Sequence, residues 1–256
     1  MLTLYHWKPV ATSLRVLIAL HEKELEFESR YVDLLDYQQF GDDFLSLNPF
    51  AQVPVLINDY RPLYESVVIN EFLEELVDRN PLVPKGPDSW YQQQCLIKYI
   101  DYNMTNSVAT LGWWRSSRAR LGELELDSLN TKVDAIPVVE RREAWRAALA
   151  ADAKIEQIEN SERKLSMALE RFEMALSQHA YLLGDAYSLA DIAAFPMVRV
   201  LPDLMPERCC ARTSPKVIDW LARVAERPAV MAALATPVPE DGRPSYVPGP
   251  EHSRWG

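Results

Sequence analysis

Residues 52–57, Gln52-Val53-Pro54-Val55-Leu56-Ile57, combine an apolar run with a proline inside it. The apolar, β-branched residues favour a buried strand, and the Asn58-Asp59 pair after them is typical of a turn. Proline cannot donate a hydrogen bond to a neighbouring strand, so this one belongs at a sheet edge or in a bend. An ordinary trans Val53-Pro54 bond has the base rate in its favour, since only about 5–6% of such bonds are cis in folded proteins. The alternative is a cis bond, which would leave the Val53 backbone free to pair with an extended peptide.

The first 80 residues alternate between strand-like and helix-like segments. The predicted strands are Leu2–Tyr5, Phe27–Asp33, Val53–Ile57 and Leu63–Tyr64. The predicted helices are one that starts near Ser13, with Thr12 or Ser13 as its cap, a short helix or irregular turn at Phe40–Leu47, and one opened by Ser66. The order is βαβ followed by ββα, the pattern of a thioredoxin-like domain, here assigned to residues 1–80.

The chain changes character after residue 80. Residues 81–88 have the composition of a linker, and residues 89–235 are predicted to form an all-helical domain. The predicted helices of this domain are Trp90 to about Ser117, Glu140 to about Ser177, one opened by the capping box Ser188-Leu189-Ala190-Asp191, and Val217–Val224, closed by Arg227-Pro228. Residues 236–256 are predicted to be a proline-rich tail. The expected fold is therefore α/β followed by all-α.

The composition excludes several classes of protein. The 256 residues carry 27 Lys and Arg against 37 Asp and Glu, a formal net charge of −10, and a surface this acidic repels nucleic acid. The spacing of the three cysteines and four histidines predicts neither a metal site nor a structural disulfide. No apolar run approaches the roughly 20 residues of a membrane-spanning helix, and none resembles a signal peptide. We therefore expect a soluble cytoplasmic protein with no bound metal and no membrane partner.

Two predicted helix starts carry side chains suited to binding. A helix N-terminus offers unpaired N–H groups and a positive dipole end, so Glu65-Ser66 could hold the carboxylate and ammonium groups of an amino acid. The hydroxyls of Thr12 and Ser13 could donate a hydrogen bond to a thiolate and lower the pKa of its thiol. Lowering that pKa by two units requires about 2.7 kcal/mol, which a charge-assisted hydrogen bond and a helix dipole supply without a general base. In each case the alternative is a side chain that only caps its helix.

Taken together, these pieces resemble the cytosolic glutathione S-transferases. The motifs that carry the resemblance are Tyr5…Pro9…Ser13, Asn48-Pro49…Gln52-Val53-Pro54-Val55-Leu56, Glu65-Ser66-Val67-Val68-Ile69 and Tyr181-Leu182…Tyr187-Ser188-Leu189-Ala190-Asp191-Ile192. The resemblance implies a cis Val53-Pro54 bond and glutathione as the co-substrate. The roles that it implies are a thiolate donor at Ser13, pairing of the cysteinyl part with the Val53 backbone, binding of the γ-glutamyl end by Glu65 and Ser66, and contacts of Gln52 and Gln39 with the rest of the tripeptide.

A closer likeness is to the bacterial glutathione-dependent β-etherases, which cleave aryl ethers derived from lignin. It is carried by Val108-Ala109-Thr110-Leu111-Gly112-Trp113, by the long segment that follows, and by Ile136-Pro137 leading to Trp145-Arg146. The likeness implies a pocket for aromatic substrates between the loop at residues 7–10 and the first long helix of the second domain. The implied substrate-binding residues are Trp7, Pro9, Tyr102, Trp113 and Trp114. Aromatic walls suit flat aromatic substrates, but core or dimer contacts are the alternative for Trp113 and Trp114, because neighbours on a helix face different ways.

The etherase likeness also implies a reaction. The glutathione thiolate attacks the carbon that bears the aryloxy group, next to a ketone, and expels a phenolate. Two alternatives are a general glutathione S-transferase that conjugates electrophilic aromatics and a glutathione-binding helper subunit of a heterodimeric etherase. Some relatives carry Asn-Ser where this chain has Thr12-Ser13, so Thr12 offers a hydroxyl in place of an amide. The expected assembly is a dimer, formed with an identical or a related chain.

Overall fold

The computed structural model describes residues 1–34, 36–117, 130–131, 133–150 and 155–239. Its first part contains a four-stranded sheet in the order β2-β1-β3-β4, in which β1 and β2 are parallel and the other neighbours are antiparallel. The strands are β1 (Leu2–His6), β2 (Phe27–Tyr31), β3 (Val55–Asn58) and β4 (Arg61–Tyr64). The predicted order of elements, βαβ followed by ββα, is confirmed.

The two central strands of this sheet place two loops side by side. Leu4 of β1 lies opposite Leu56 of β3, and both are fully buried. Tyr5 lies opposite Val55 in the same antiparallel pair. The chain leaving β1 and the chain entering β3 therefore emerge at one edge of the sheet. Pro62 lies on the edge strand β4, where a residue without an N–H group costs the sheet no hydrogen bond.

Three helices complete the first domain: α1 (Ala11–Glu22), α2 (Asp42–Leu47) and α3 (Ser66–Leu76). The cap residue of α1 is Val10, and no side chain caps the helix. The predicted capping role of Thr12 or Ser13 is therefore wrong, because helical hydrogen bonding already starts at the Val10 carbonyl, which accepts the Leu14 N–H at 3.1 Å. Thr12 and Ser13 lie instead in the first turn of the helix.

One continuous helical run covers residues 87–117, and we call it the long helix. It consists of α4 (Pro87–Tyr99), a π-helical segment (Ile100–Thr105), α5 (Asn106–Gly112) and a second π-helical segment (Trp113–Ser117). The prediction of a long helix here is confirmed, but its start lies at Pro87 because proline suits the first helical turn, where no N–H partner is needed. π-Helical segments re-aim side chains and are frequent at functional sites.

The remaining helices of the second domain are α6 (Val139–Ala150), α7 (Ile155–Leu176), α8 (Leu189–Val198), α9 (Leu201–Leu204), α10 (Pro215–Ala225) and α11 (Pro228–Leu234). The helix predicted for residues 140–177 corresponds to α6, which starts one residue earlier, and to α7, and residues 151–154 lie outside the described part. Pro228, predicted only as a helix end, opens α11, because a proline that cannot continue one helix suits the first position of the next. The tail predicted for residues 236–256 lies outside the described residues beyond Pro239.

The capping box at the start of α8 is confirmed. Asp191 is fully buried, and its carboxylate accepts hydrogen bonds at 2.9–3.1 Å from Trp220 Nε1, from the Leu182 N–H and from the N–H and hydroxyl of Ser188. Burial raises the pKa of Asp191 to about 6, and these four donors oppose that shift. The network joins α8 to α10 and to the loop before α8.

Helix α1 joins the two domains. It packs against α3 in its own domain and against α8 and α11 in the helical domain. Near its end, Glu22 accepts two hydrogen bonds from the guanidinium of Arg227, at 2.7 and 2.9 Å. The same guanidinium lies 3.8 Å from the ring centre of Tyr187. The end of α1 is thereby attached to the helical domain, and the candidate site lies at the start of the same helix.

Candidate functional site

A cavity of about 450 Å³ opens between the first domain and the long helix. One wall is formed by the starts of α1 and α3 and by residues 51–54. The facing wall is formed by residues of the long helix, Lys98, Asp101, Tyr102, Thr105 and Asn106, which recur every three or four positions and therefore share one helix face. The cavity thus lies where the two central strands place their adjoining loops.

The backbone of Val53 borders this cavity. The Val53-Pro54 bond is cis, as the resemblance implied. The Val53 carbonyl accepts a hydrogen bond from the Thr12 hydroxyl at 3.3 Å, whereas no acceptor for the Val53 N–H lies among the described residues. Asn48 holds the loop from behind, since its Nδ2 donates to the Gln52 carbonyl at 2.8 Å. A backbone N–H and carbonyl that border a cavity next to a strand can pair with an extended peptide.

Glu65 and Ser66 form the corner of the same wall. Glu65 has φ +77° and ψ 100°, a conformation that costs a non-glycine residue about 1–3 kcal/mol and that recurs at binding sites. Glu65, not Ser66, occupies the cap position of α3, so Ser66 is the first helical residue and does not cap the helix. Its hydroxyl and the unpaired N–H groups of the first turn border the cavity, where they favour an anion.

The two hydroxyl residues of α1 have different surroundings. Thr12 lines the cavity, and its hydroxyl donates to Val53. Ser13 is 3% exposed, does not line the cavity, and accepts a hydrogen bond from the Trp7 N–H at 3.3 Å. Because the Ser13 oxygen acts as an acceptor there, its own proton remains available for donation.

His6 supports the loop that holds Ser13. Its Nδ1 is hydrogen-bonded to the Trp7 carbonyl, and its Nε2 lies 2.7 Å from the Ser29 hydroxyl. A neutral ring satisfies both contacts when Nδ1 carries the proton, since Nε2 then accepts from Ser29. Burial lowers the pKa of His6 below its ordinary 6.5, which keeps the ring neutral near pH 7. The neutral imidazole therefore fixes the backbone of Trp7.

Arg15 is a site residue that the sequence analysis did not assign. Its guanidinium is 1% exposed, pairs with Asp101 at 2.7 Å, and donates through Nε to the Ala193 carbonyl at 3.0 Å. Its Nη1 also lies 3.5 Å from the Ser66 hydroxyl. Arg15 Nη2 is buried and finds no hydrogen-bond acceptor among the described residues, and Arg15 borders the cavity. The sequence feature that could have identified this residue is an arginine inside the apolar run of α1, because a buried charge requires partners.

The charges around the cavity are of both signs. Arg15 and Lys98 are cationic, whereas Glu65 and Asp101 are anionic. They lie on both walls, together with the N-terminus of α3. Such a site suits a zwitterionic ligand that carries carboxylate and ammonium groups close together.

The structure brings only some of the predicted residues together. Those that line the cavity are Thr12, Gln52, Val53, Pro54, Glu65, Ser66 and Tyr102. Those that do not are Ser13, Gln39, Trp7, Pro9, Trp113 and Trp114. Gln39 is fully buried, and its Nε2 donates to the Leu34 carbonyl at 3.4 Å. Trp7 is also buried, at 1% exposure.

Trp113 belongs to an apolar cluster that contains residues of both domains. Its ring lies edge-to-face on Trp145 of α6, with 5.6 Å between the centres. Tyr37 of the first domain packs on Trp145 at 6.1 Å and stacks on Phe40. Trp114 packs against the same cluster. Helix α6 is thus joined by aromatic contacts to the long helix and to the loop that follows Leu34, a residue of the cavity wall.

Two further observations concern the described residues as a set. None of their helices is both long and apolar enough to cross a membrane. None of their His, Cys, Asp and Glu side chains form a group of three or more suited to a metal ion.

Comparison with known proteins identifies both domains. Residues 11–76 match the model of the glutathione S-transferase N-terminal domain, and residues 136–228 match that of the C-terminal domain. Protein LigF of Sphingobium sp. strain SYK-6 is 32% identical over 235 residues, which are 90% of this chain and 91% of LigF. Glutathione S-transferase 3 of Zea mays is 30% identical over 88% of this chain and 90% of its own length.

Solved structures show the same relationship. The crystal structure of the β-etherase LigF superposes with a TM-score of 0.85 at 30% identity, covering 92% of this chain and 99% of LigF. A family member from Pseudomonas fluorescens, solved with two glutathione molecules bound, superposes with a TM-score of 0.73 at 20% identity, covering 92% and 93% of the two chains. The second likeness shows the shared fold alone.

Proposed function

The chain belongs to the glutathione S-transferase family, and on this premise we propose that its cavity binds glutathione and that the bound thiolate cleaves β-aryl ethers of lignin-derived aromatics. The observation that carries the substrate assignment is the likeness to the β-etherase LigF, which extends over nearly the whole of both chains. The geometry of the cavity supports the co-substrate, because the Val53 backbone can pair with a peptide and the charges of both signs on the two walls suit the zwitterionic γ-glutamyl end.

In the proposed complex, the cysteinyl part of glutathione pairs with the N–H and carbonyl of Val53, beside Pro54 and Gln52. The γ-glutamyl carboxylate lies at the start of α3, where it accepts hydrogen bonds from Ser66 and from the unpaired Nη2 of Arg15. The γ-glutamyl ammonium lies between the carboxylates of Glu65 and Asp101. This pose gives an acceptor to the buried Nη2 group, for which the described residues offer none. Gln39, which lies behind Leu34, supports the wall and does not touch the ligand.

The same pose assigns the contact with sulfur. The Thr12 hydroxyl now donates to the Val53 carbonyl at 3.3 Å, and rotation about its side-chain bond would turn the same proton to the thiolate while the cysteinyl N–H of glutathione pairs with that carbonyl. We therefore propose Thr12 as the direct donor. Ser13 is the alternative donor, since its proton is available while its oxygen holds the Trp7 N–H.

The reaction follows from these contacts. The ionised sulfur attacks the carbon that bears the aryloxy group, the carbon–sulfur bond forms as the carbon–oxygen bond breaks, and the bonding electron pair leaves with the phenolate. The protein's part is to keep the sulfur ionised and in line with the leaving group. The products are a glutathione thioether and a phenol, which takes its proton from solvent.

A general glutathione S-transferase that conjugates electrophilic aromatics is the second candidate. The likeness to the Zea mays enzyme supports it, as does the cavity wall, on which Tyr102 is the one aromatic residue among those described. A glutathione-binding helper subunit of a two-chain etherase is the third.

We further propose that the protein works as a dimer, with an identical or a related chain. Exposed apolar side chains occur on β4, on α3 and on the loop before β3. They are Phe50, Tyr64 and Val68, and the rings of Phe50 and Tyr64 are in contact at 5.7 Å. The mass of the protein in solution, by light scattering, tests this proposal, and a monomer at micromolar concentration would contradict it.

The activity is tested in two steps. Calorimetry with reduced glutathione should show binding at millimolar concentration or below, and absence of heat would overturn the co-substrate. Release of phenol from a model β-aryl ether ketone should then depend on glutathione. Turnover of a chloro-nitroarene without phenol release would favour the general transferase. Phenol release only after mixing with a related chain would favour the helper subunit.

A further inference from the structure

The strand order gives the direction in which the proposed tripeptide runs. Strands β1, β2 and β4 end and β3 starts at the same edge of the sheet, because β2 is parallel to β1 and β3 is antiparallel to both β1 and β4. At this edge Ser66 follows β4, Val53 precedes β3 and Leu34 follows β2. In the order β2-β1-β3-β4, Val53 therefore lies between the other two. A peptide that begins at Ser66 and pairs with Val53 directs its third residue toward the Leu34 side of the wall.

The cationic side chains of the cavity lie at its γ-glutamyl end. Arg15 and Lys98 are the two cations among the described residues that line the cavity. The Arg15 Nη1 atom lies 3.5 Å from the Ser66 hydroxyl and 2.7 Å from the Asp101 carboxylate. Lys98 precedes Asp101 by three residues on the same face of the long helix, so the two are about one turn apart. The ion pairs that the described wall offers to a ligand are therefore concentrated at one end.

The first domain offers no cation to the Leu34 side of the wall. The structure describes residues 1–80 except residue 35, which is a leucine, and of their six Lys and Arg residues only Arg15 lines the cavity. Lys8 follows β1 at the same edge of the sheet, but it is 6% exposed and does not line the cavity. Its Nζ atom lies 5.8 Å from the ring centre of Trp7. The third residue of the tripeptide thus faces a wall without positive charge.

The sequence on this side is acidic. Residues 31–60 contain five aspartates and no lysine, arginine or histidine. Asp33 and Asp36 lie on either side of Leu34 in the chain, Asp33 half-buried and Asp36 exposed. A carboxylate that enters this side of the cavity therefore approaches like charges, which disfavour it. The glycyl carboxylate of glutathione is the group that the proposed pose brings here.

We propose that the site recognises charge only at the γ-glutamyl end, and that its co-substrates are γ-glutamyl-cysteinyl thiols whose third residue can be uncharged. The glycyl carboxylate of glutathione stays hydrated and gains no ion pair, so its neutralisation costs no affinity. Glycyl esters and amides of glutathione are then co-substrates equivalent to glutathione. This inference rests on the proposed function and names the class of thiol that the cavity accepts.

Calorimetry with three thiols tests the proposal. The glycyl monoethyl ester of glutathione should bind as tightly as glutathione, or up to about threefold more tightly at low ionic strength, because charges about 10 Å apart in water repel weakly. The peptide 4-aminobutyryl-cysteinyl-glycine, which lacks the γ-glutamyl carboxylate, should bind at least about tenfold more weakly. An ester that binds tenfold more weakly than glutathione would overturn this inference and leave the proposed function standing. Absence of heat with both glutathione and its ester would overturn the proposed function.

Variants test the placement of the third residue. Gln52 lines the cavity next to Val53, so Gln52→Lys should introduce a preference for glutathione over its ester of about twofold to fivefold, the worth of an exposed ion pair. Gln52→Met is the matched neutral control and should show no preference. Lys8→Met should leave the ratio of the two dissociation constants as in the wild type. An unchanged ratio in Gln52→Lys would overturn the proposed placement, and a loss of affinity for glutathione alone in Lys8→Met would identify Lys8 as a partner of the glycyl carboxylate and overturn the inference.

Discussion

Replacing Arg15 tests the assignment of the glutathione carboxylate. In Arg15→Met the side chain keeps most of its length and apolar stem but loses all of its donors. Asp101 then loses its ion pair, the Ala193 carbonyl loses a hydrogen bond, and the bound carboxylate loses the Nη2 group proposed to hold it. Arg15→Lys keeps the charge and one donor, so it should show an intermediate loss.

The size of the effect follows from these contacts. A hydrogen bond to a charged group is worth about 1.5–3 kcal/mol, which corresponds to a weakening of glutathione affinity by about 10-fold to 140-fold. Removing one partner of a buried ion pair costs about 3–5 kcal/mol of stability. Asp101 is 35% exposed and can be hydrated, so the loss of stability in Arg15→Met should lie below that range.

The assay is calorimetric titration with glutathione, accompanied by urea unfolding to show that each variant is folded. Arg30→Met is the matched control, since Arg30 is 57% exposed on β2 and the change removes the same charge far from the cavity. It should bind glutathione like the wild type. A dissociation constant for folded Arg15→Met within twofold of the wild-type value would refute the proposed carboxylate contact.

Three further predictions concern other residues. Thr12→Val should raise the pKa of the bound glutathione thiol by about 1–2 units, read from thiolate absorbance in the ultraviolet, and a larger rise in Ser13→Ala would assign the contact to Ser13 instead. Asp191→Ala leaves four buried donors unpaired and should lower the free energy of unfolding by about 3–5 kcal/mol in urea, whereas the exposed Asp185→Ala should change it little; equal values for the two would contradict the network described. The pKa of His6 lies below 6.5 in the folded chain, so as pH falls the unfolded state binds a proton at this histidine before the folded state does. The stability that the neutral His6 ring contributes is therefore lost as pH falls from about 7 through the folded pKa, by at most about 1.4 kcal/mol per pH unit. In unfolding curves at several pH values, the free energy of unfolding should fall less steeply with falling pH for His6→Gln than for the wild type. The same slope in both proteins would contradict this prediction.

The fold could be predicted because short-range patterns determine most of it. Alternating apolar segments gave the βαβ and ββα order, and the Ser188-Asp191 capping box located α8. Two errors lie at helix ends that contain proline, and another concerns the cap of α1, which is Val10 and not Thr12 or Ser13. Pro87 and Pro228 open helices, whereas composition alone marks a proline equally as a linker residue or a stop.

The site could be predicted only where local chemistry reveals it. Val53 and Ser66 could be singled out because one precedes a proline at an apolar run and the other opens a helix, and both line the cavity. Arg15 does not, since its role depends on Asp101 and Ala193, which are distant in sequence and close only after folding. The burial of Trp7 and Trp113 is likewise a property of tertiary packing. The sequence does not tell whether an aromatic side chain packs in the core or lines a cavity.

The attachment of α1 at both ends has a consequence for unfolding. Arg15 binds the long helix and α8, and Glu22 binds Arg227 before α11, so the first domain cannot open without breaking ion pairs to the second. The two domains should therefore denature in a single cooperative transition, and the amide protons of α1 should be among the slowest to exchange with deuterium. A ligand that fills the cavity would then raise the melting temperature of the whole chain.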